Sequence, residues 1–497
     1  MKRILMNETT PEQKGSPKTE IANRQSRFSE AFKEFICKDW QPYDPNLPKP
    51  IAGAVNAAKR RQQLSEMFPG ERLIVPAGHL QVRNNDCDYR FRPHSAFTWL
   101  TGLGTDREPN AVLVMEPSAG GHDANLYFHP RVPRTDEEFY ADSTYGEMWV
   151  GQRESLEEMS ALGAINTMDI SDLEMNLRQA ASTTPTRILR EASPELADRV
   201  DQWRGRGDKE DAEFETALSE LRFIKDDFEV AQLVEACEAT AVGFEAVVKE
   251  FPNAVKNGRG ERWVEGVFGL HARHRGNAVG YDTIAASGDH ANTLHWIVND
   301  GDLKDGDLLL MDAGVELDSL YTADVTRTMP VNGKFTDAQR KVYDAVYEAQ
   351  SAGIEAARAG ADFLDVHYAA VSVIARKLEE WGILPVSAEE ALSPEGGQWR
   401  RWMVHSTSHH LGLDVHDCAA ARREVYRQGK LEPGMVITVE PGIYFKSTDL
   451  MVPEELRGIG VRIEDDILIT DGAARILSDQ LPRSSKDVED WMAGLLN

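Results

Sequence analysis

Cysteine is scarce: Cys37, Cys87, Cys237 and Cys418 are the only four in 497 residues, and no two share C-x-x-C spacing. A disulfide framework is therefore not expected, and a reducing compartment, the cytoplasm, is. Long apolar runs are missing too; none reaches the ~20 residues that cross a bilayer. The start, Met1-Lys-Arg-Ile-Leu-Met-Asn-Glu8, offers only a three-residue apolar stretch, too short for a secretory signal. Positive charge is outnumbered, with 55 Lys and Arg against 82 Asp and Glu and a net charge of -27. That balance repels phosphate backbones, so neither nucleic acid nor membrane is an expected partner. G-x-S-x-G and P-loop patterns are absent, and Gly102-Leu-Gly104 and Gly458-Ile-Gly460 are only fragments of a dinucleotide fingerprint.

What is present is a soluble globular composition, 41% hydrophobic and 28% charged, on a chain too long for one ordinary core. No repeat of fixed short period interrupts it. Residues 1–50 are polar and end in Asp44-Pro-Asn-Leu-Pro-Lys-Pro50, which reads as an extension. Over 51–219, short apolar runs at 72–78 and 110–116 alternate with helical patterns at 52–68 and 152–163, the signature of an α/β domain. A charged stretch from Arg206 to Phe228 marks the boundary. Beyond it Val230, Leu233, Val234, Cys237, Ala241, Phe244, Val248 and Phe251 form one face of a long helix. Within 220–497 helices are expected at 337–359, 362–382 and 418–429, and strands at 308–317, 320–329, 435–445 and 460–470. That mixture is α+β. Residues 385–400 look like an inserted loop.

Four of those strands carry acids at telling places. Asp312 follows Leu308-Leu-Leu-Met311 and precedes Ala313-Gly314. Burying a bare carboxylate costs several kcal/mol unless a cation or partner meets it. Asp324 shares a period-2 face with Thr322, Thr326 and Thr328, which by itself suits a solvated strand. Its separation from Asp312 is about that of a β-hairpin, so two adjacent strands can aim both acids at one point. Glu440 ends Met435-Val-Ile-Thr-Val439 before Pro441-Gly442. Glu464 alternates with Arg462 and Asp466, a pattern that alone suits a surface ion pair.

The run His405-Ser-Thr-Ser-His409-His-Leu-Gly-Leu-Asp-Val-His416-Asp417 supplies imidazoles. A lone histidine near Leu411 is more often a core residue than a ligand. His405 and His409 at i, i+4 could also form a helical zinc pair, although the Glu of H-E-x-x-H is absent. Four carboxylates converging on one point would repel and raise one another's pKa, whereas two divalent ions would balance them. Oxygen-rich coordination with one imidazole suits Mn²⁺, with Co²⁺ and Zn²⁺ as alternatives. Such a pair acidifies a bridging water and polarises a carbonyl.

The order Asp312, Asp324, His409, Glu440, Glu464 resembles that of the pita-bread metallopeptidases, in the Xaa-Pro aminopeptidase and prolidase branch of family M24B. The matching segments are Leu294-His295, Met311-Asp-Ala-Gly314, Asp324-Val-Thr-Arg327, Pro330-Val-Asn-Gly-Lys-Phe335, Ser408-His409 through His416-Asp417, Leu431-Glu-Pro-Gly-Met435, Val439-Glu-Pro-Gly442 and Gly458-Ile-Gly-Val-Arg-Ile-Glu-Asp465. They span roughly 220–475. Phe97-Thr-Trp-Leu-Thr-Gly102 and Ala111-Val-Leu-Val-Met115 resemble the creatinase-type N-terminal domain of the same branch.

The resemblance implies a pita-bread catalytic domain at 220–497 behind a creatinase-like α/β domain at 51–219. It also implies that Asp312 binds one metal, Asp324 and Glu464 bridge two, and His409 and Glu440 complete the other. Glu440 would double as proton shuttle. His295, His405 and His416 fall where substrate-contacting histidines are placed, and Arg462 where an arginine orients the bridging carboxylate. The Asp312 to Asp324 interval is one residue longer than usual, so a β-bulge is expected. The implied activity is hydrolysis of the bond before a penultimate proline in peptides. Prolidase is the alternative, and an inactive peptide-binding relative a more distant one. A homodimer or tetramer is expected.

Overall fold

The computed structural model describes residues 28–85, 87–205 and 209–496. The first 27 residues of the expected extension lie outside the described residues. The rest of it lies against the domain that follows: Trp40 meets Phe139 edge-on, Tyr43 donates to Glu147, and the guanidiniums of Arg131 and Arg134 sit over the Tyr43 ring.

Residues 72–188 build a mixed five-stranded sheet. Strand Arg72–Pro76, next to the edge, is fully buried; it pairs antiparallel with the central strand Val112–Ser118 and parallel with the edge strand Thr186–Ile188. Gly121–Phe128 and Asn166–Asp169 extend the sheet outward. Helices Ala54–Met67 and Leu156–Gly163 occupy the expected positions. The division expected at 219/220 falls in the last turn of helix Lys209–Leu221.

Helix Asp227–Lys249 starts where it does because Asp226 accepts from the Phe228 and Glu229 amides while the Glu229 side chain reaches back to the Asp226 amide. The same reciprocal cap, Thr336 with Gln339, opens helix Asp337–Ala356. That helix packs antiparallel on Phe363–Glu380, and at Gly353 it approaches Val439 so closely that a Cβ would lie 2.9 Å from its Cγ1. The helix expected at 418–429 is reduced to Arg423–Tyr426. Few apolar positions there face the core, so no continuous stripe supports more turns. Residues 385–400 hold a short helix, Ala388–Leu392, and bury Trp399.

Each of the four expected long strands is interrupted beside an acid. Leu308–Ala313 stops at Gly314 and Val325–Pro330 starts after Asp324. Val436–Val439 stops at Glu440, and Gly460–Arg462 and Asp465–Leu468 flank Glu464. The interruptions carry no slip. Leu308↔Pro330 through Ala313↔Val325, then the bridge Glu316↔Thr322, keep one register, so no bulge separates Asp312 from Asp324. The longer interval is absorbed in the turn at 317–321, where Leu320 has φ 71°. Gly314 is required opposite Asp324, because a Cβ there would lie 1.6 Å from the Ala323 carbonyl oxygen.

Candidate metal centre

With Asp312 opposite Thr326 in the ladder, Asp324 is the diagonal neighbour on the same face. The Asp324 amide, which has no strand partner on its outer side, donates to Asp466 Oδ2 at 3.1 Å. The second strand pair behaves alike. Val439 pairs with Asp465 and Gly442 with Arg462, and counting inward sets Glu440 opposite Glu464. Their amides point outward, Glu440 N–H to Thr407 O at 2.9 Å and Glu464 N–H to Thr326 O at 3.1 Å. Facing carboxylates thus occupy a non-hydrogen-bonded pair, the closer of the two kinds. Gln350 holds the ladder from behind, donating to Val439 O and Asp465 Oδ2. Buried Arg327 donates to Glu464 O and Asp465 Oδ1.

All nine residues expected at the site, His295, Asp312, Asp324, His405, His409, His416, Glu440, Arg462 and Glu464, line one cavity of about 540 Å³. His409 Nε2 lies 3.2 Å from Asp324 Oδ2 and 3.7 Å from Glu440 Oε1. One ligand atom each from Asp324, His409 and Glu464 falls within 4.8 Å of the other two. His416 stands edge-on to His409, with ring centroids 4.5 Å apart.

A helical pairing of His405 with His409 is corrected by the backbone, which is irregular at 403–409 before a bridge at His410. His405 turns to Tyr444, Nε2 to Oη 2.7 Å, while its Nδ1 is 3.5 Å from Glu440 Oε2. Arg462 is no surface partner of Glu464. It is buried and donates to Asp312 Oδ2 at 2.5 Å, to Tyr444 Oη and to Thr326 Oγ1; Thr326 in turn donates to Glu464 Oε2 at 2.6 Å. The arginine therefore reaches Glu464 only through a threonine.

Electrostatically the cluster is short of positive charge. Burial, reinforced by Asp324, Glu440 and Asp312, holds Glu464 well above the usual carboxylate range. Burial pushes Glu440 up to about 7, with Asp324 and Asp312 adding to the rise and His409 opposing it. Asp312 is raised by burial despite Arg462. Asp324 is the exception to the expected upward drift: burial opposes its ionisation, but the hydrogen bond and charge of His409 outweigh it. Reciprocally, burial disfavours the His409 imidazolium, and Asp324 lifts it to about 9 all the same. Burial and Arg462 hold His405 near 3, a neutral ring. Carboxylates that protonate for want of counter-charge, beside one imidazole, are a donor set that fits divalent cations.

Sequence reasoning missed Tyr281 and Tyr444. Tyr281 Oη lies 2.6 Å from Asp312 Oδ1 and 2.5 Å from Asp324 Oδ1. A tyrosine behind Gly280 carries no periodic signal that it reaches residues 31 and 43 positions away. Tyr444 is two positions along the partner strand from Gly442, the residue opposite Arg462, so it is the diagonal neighbour on the same face.

Residues 231–471 match the model of metallopeptidase family M24, and residues 57–189 match the aminopeptidase P N-terminal domain. Xaa-Pro aminopeptidase 1 of Streptomyces coelicolor is 48% identical over 99% of this chain and 100% of its own. The Xaa-Pro aminopeptidase of Escherichia coli is 33% identical over 87% of this chain and 96% of its own. Among solved structures, Pseudomonas aeruginosa aminopeptidase PepP superposes with a TM-score of 0.78 at 29% identity, over 90% of this chain and 99% of that one. A zinc-substituted Escherichia coli aminopeptidase P in complex with product gives 0.76 at 30% identity over the same shares. A carboxylate-rich centre between two interrupted strand pairs, together with full-length kinship on both sides of 200, makes the chain a member of metallopeptidase family M24, in its aminopeptidase P branch.

Proposed function

We propose that this chain is a metal-dependent aminopeptidase that releases the N-terminal residue from peptides whose second residue is proline. The observation that carries the reading is the convergence of five potential ligands and four further polar residues on one cavity, in a chain whose long relatives are named Xaa-Pro aminopeptidases.

Asp312, Asp324, His409, Glu440 and Glu464 would hold two divalent ions, Mn²⁺ foremost and Co²⁺ or Zn²⁺ as alternatives. When bound, the ions supply Lewis acidity at the scissile carbonyl and acidify water near neutral pH. The protein's own groups do the rest. Glu440, beside His405 and His409, would take the proton that the attacking water loses and pass it to the departing imino nitrogen. His295 and His416 flank the carbonyl oxygen and stabilise its developing charge. His405, held neutral against Tyr444, orients the substrate from the Glu440 side. Arg462 fixes Asp312. Ile284, Leu294, Phe363 and Val415 give the cavity an apolar wall for the proline ring. The tertiary amide before proline has no N–H, so that wall need offer it no acceptor.

Prolidase is the second reading, favoured by Arg427, which lines the same cavity and offers a cation to a free carboxylate. Mn²⁺-loaded protein is to be assayed on Ala-Pro and Ala-Pro-Ala. Faster release from the tripeptide is expected, and preference for the dipeptide would make the chain a prolidase. A homodimer or tetramer and a cytoplasmic location complete the proposal; light scattering tests the former.

A further inference from the structure

Two arms carry the site, and a single guanidinium outside it touches both. The first arm is the hairpin of Asp312 and Asp324, which continues to Glu316. The second is the irregular stretch 411–417, which follows His409 and contains His416. Arg92, just before helix Ser95–Thr101, donates from Nε to Glu316 Oε2 at 2.8 Å and from Nη2 to Leu413 O at 2.6 Å. Its Nη1 reaches Ser95 Oγ at 3.2 Å, and Ser95 Oγ donates to Asp414 Oδ1 at 2.5 Å.

The middle of the second arm is held from outside. Asp414 Oδ2 accepts from Arg222 at 2.8 Å, while the ends of the stretch are tied by the backbone: Leu411 N–H to Val436 O, Asp417 N–H to His410 O, and Gly412 O accepting from Thr322 N–H of the hairpin. Ser95 and Glu316 are buried, whereas the side chains of Arg92 and Asp414 are 35% and 37% exposed, so the clamp lies at the rim of the domain contact. The same N-terminal segment grips the hairpin turn as well, where the Thr105 amide donates to Asp318 O at 3.0 Å. Guanidinium geometry matters here, because a planar fork presents Nε and Nη2 to two acceptors in fixed directions, which an ammonium on a flexible stem does not.

We propose that Arg92, backed by Ser95, is a positioning residue for His416: it fixes the distance between the arm that carries Asp312 and Asp324 and the arm that carries His416. This makes the N-terminal domain a part of the reaction geometry. The inference rests on the aminopeptidase reading for its kinetic arm, and on hydrogen exchange for an arm independent of it.

The full-length Mn²⁺-loaded chain is compared with Arg92→Ala, Arg92→Lys, Ser95→Ala, His416→Ala and the Arg92→Ala/His416→Ala double variant on Ala-Pro-Ala. Arg92→Ala is expected to lower kcat at least tenfold with KM within twofold, and Arg92→Lys to fall between it and the parent. The double variant should be no more than twofold slower than His416→Ala, because a residue acting through another adds nothing once the other is gone. Exchange in peptides covering 411–417 should rise in Arg92→Ala while 308–313 stays protected. Multiplying losses in the double variant, or unchanged exchange at 411–417, would overturn the proposal. Should Arg92→Ala not fold, Ser95→Ala, which loses one hydroxyl, gives the same comparison. Full activity in His416→Ala would fault the role given to that histidine and leave the exchange result to decide on the clamp.

Discussion

Glu440 and Glu464 face each other across an antiparallel ladder whose register is identical on both sides of them. Two buried acids are placed opposite one another by strand pairing itself, and the Pro441 ring, with no N–H to give, interrupts the ladder beside them. Backbone hydrogen bonding therefore holds a pair that its own electrostatics opposes.

Glu464→Gln and Asp324→Asn should each lower kcat/KM on the order of 10³, the scale for losing a group that organises transition-state charge. Elemental analysis should show less bound metal. Metal-free Glu464→Gln should be no less stable than the parent by more than about 1 kcal/mol, because it removes a carboxylate that its buried neighbours oppose, whereas Asp324→Asn takes the partner from buried His409 and should cost more, on the order of 3 kcal/mol. Unchanged metal content with full activity in either variant would remove both residues from the bridging role.

Tyr281→Phe removes a hydroxyl that lies within hydrogen-bond distance of two buried carboxylates and donates its one proton to one of them. Groups that hydrogen-bond to metal ligands typically change affinity 10–100-fold. Chelator competition is expected to show about tenfold weaker retention of metal, with the ring still filling its place and the melting temperature little altered.

His410→Phe should flatten the acid side of the stability profile. Burial, with Lys225 adding to it, holds His410 near 3, and its Nδ1 is buried with no partner among the described residues. The folded pKa lies below the unfolded value of about 6.5, so unfolding takes up a proton and stability falls as pH drops through 6.5 towards 3. Between pH 7.5 and 5.5 one such histidine accounts for about 1.4 kcal/mol. A phenylalanine retains the packing on Phe363 and Tyr426. Urea titrations at the two pH values should differ by about that much less in the variant, and an equal difference would show that His410 is not the proton acceptor.

The long helices were legible because their signals are local. Apolar spacing and the reciprocal caps at Asp226 and Thr336 lie within a few residues of the structure they produce. The four acid-bearing strands were legible as strands and illegible as broken ones. Period-2 alternation runs straight through Asp324 and Glu464, and the regular ladder ends only where their amides donate to Asp466 Oδ2 and Thr326 O. The expected bulge had the same origin: a longer interval reads as an insertion in the strand, but the turn at Leu320 absorbs it at lower cost to pairing.

The sequence by itself showed Asp312 and Glu440 as carboxylates at the ends of apolar strands, while Asp324, His409 and Glu464 entered the candidate set through the order of motifs that the resemblance supplied. Tertiary structure alone decided who meets whom. It sent Arg462 to Asp312 and left Glu464 to Thr326, gave His405 to Tyr444 instead of a helical zinc pair, and slid Tyr281 between two acids. It also brought Arg92, just before helix Ser95–Thr101, to both arms of the site. Those contacts join residues tens to hundreds of positions apart, and their chemistry is set by distance and burial, which no local pattern encodes.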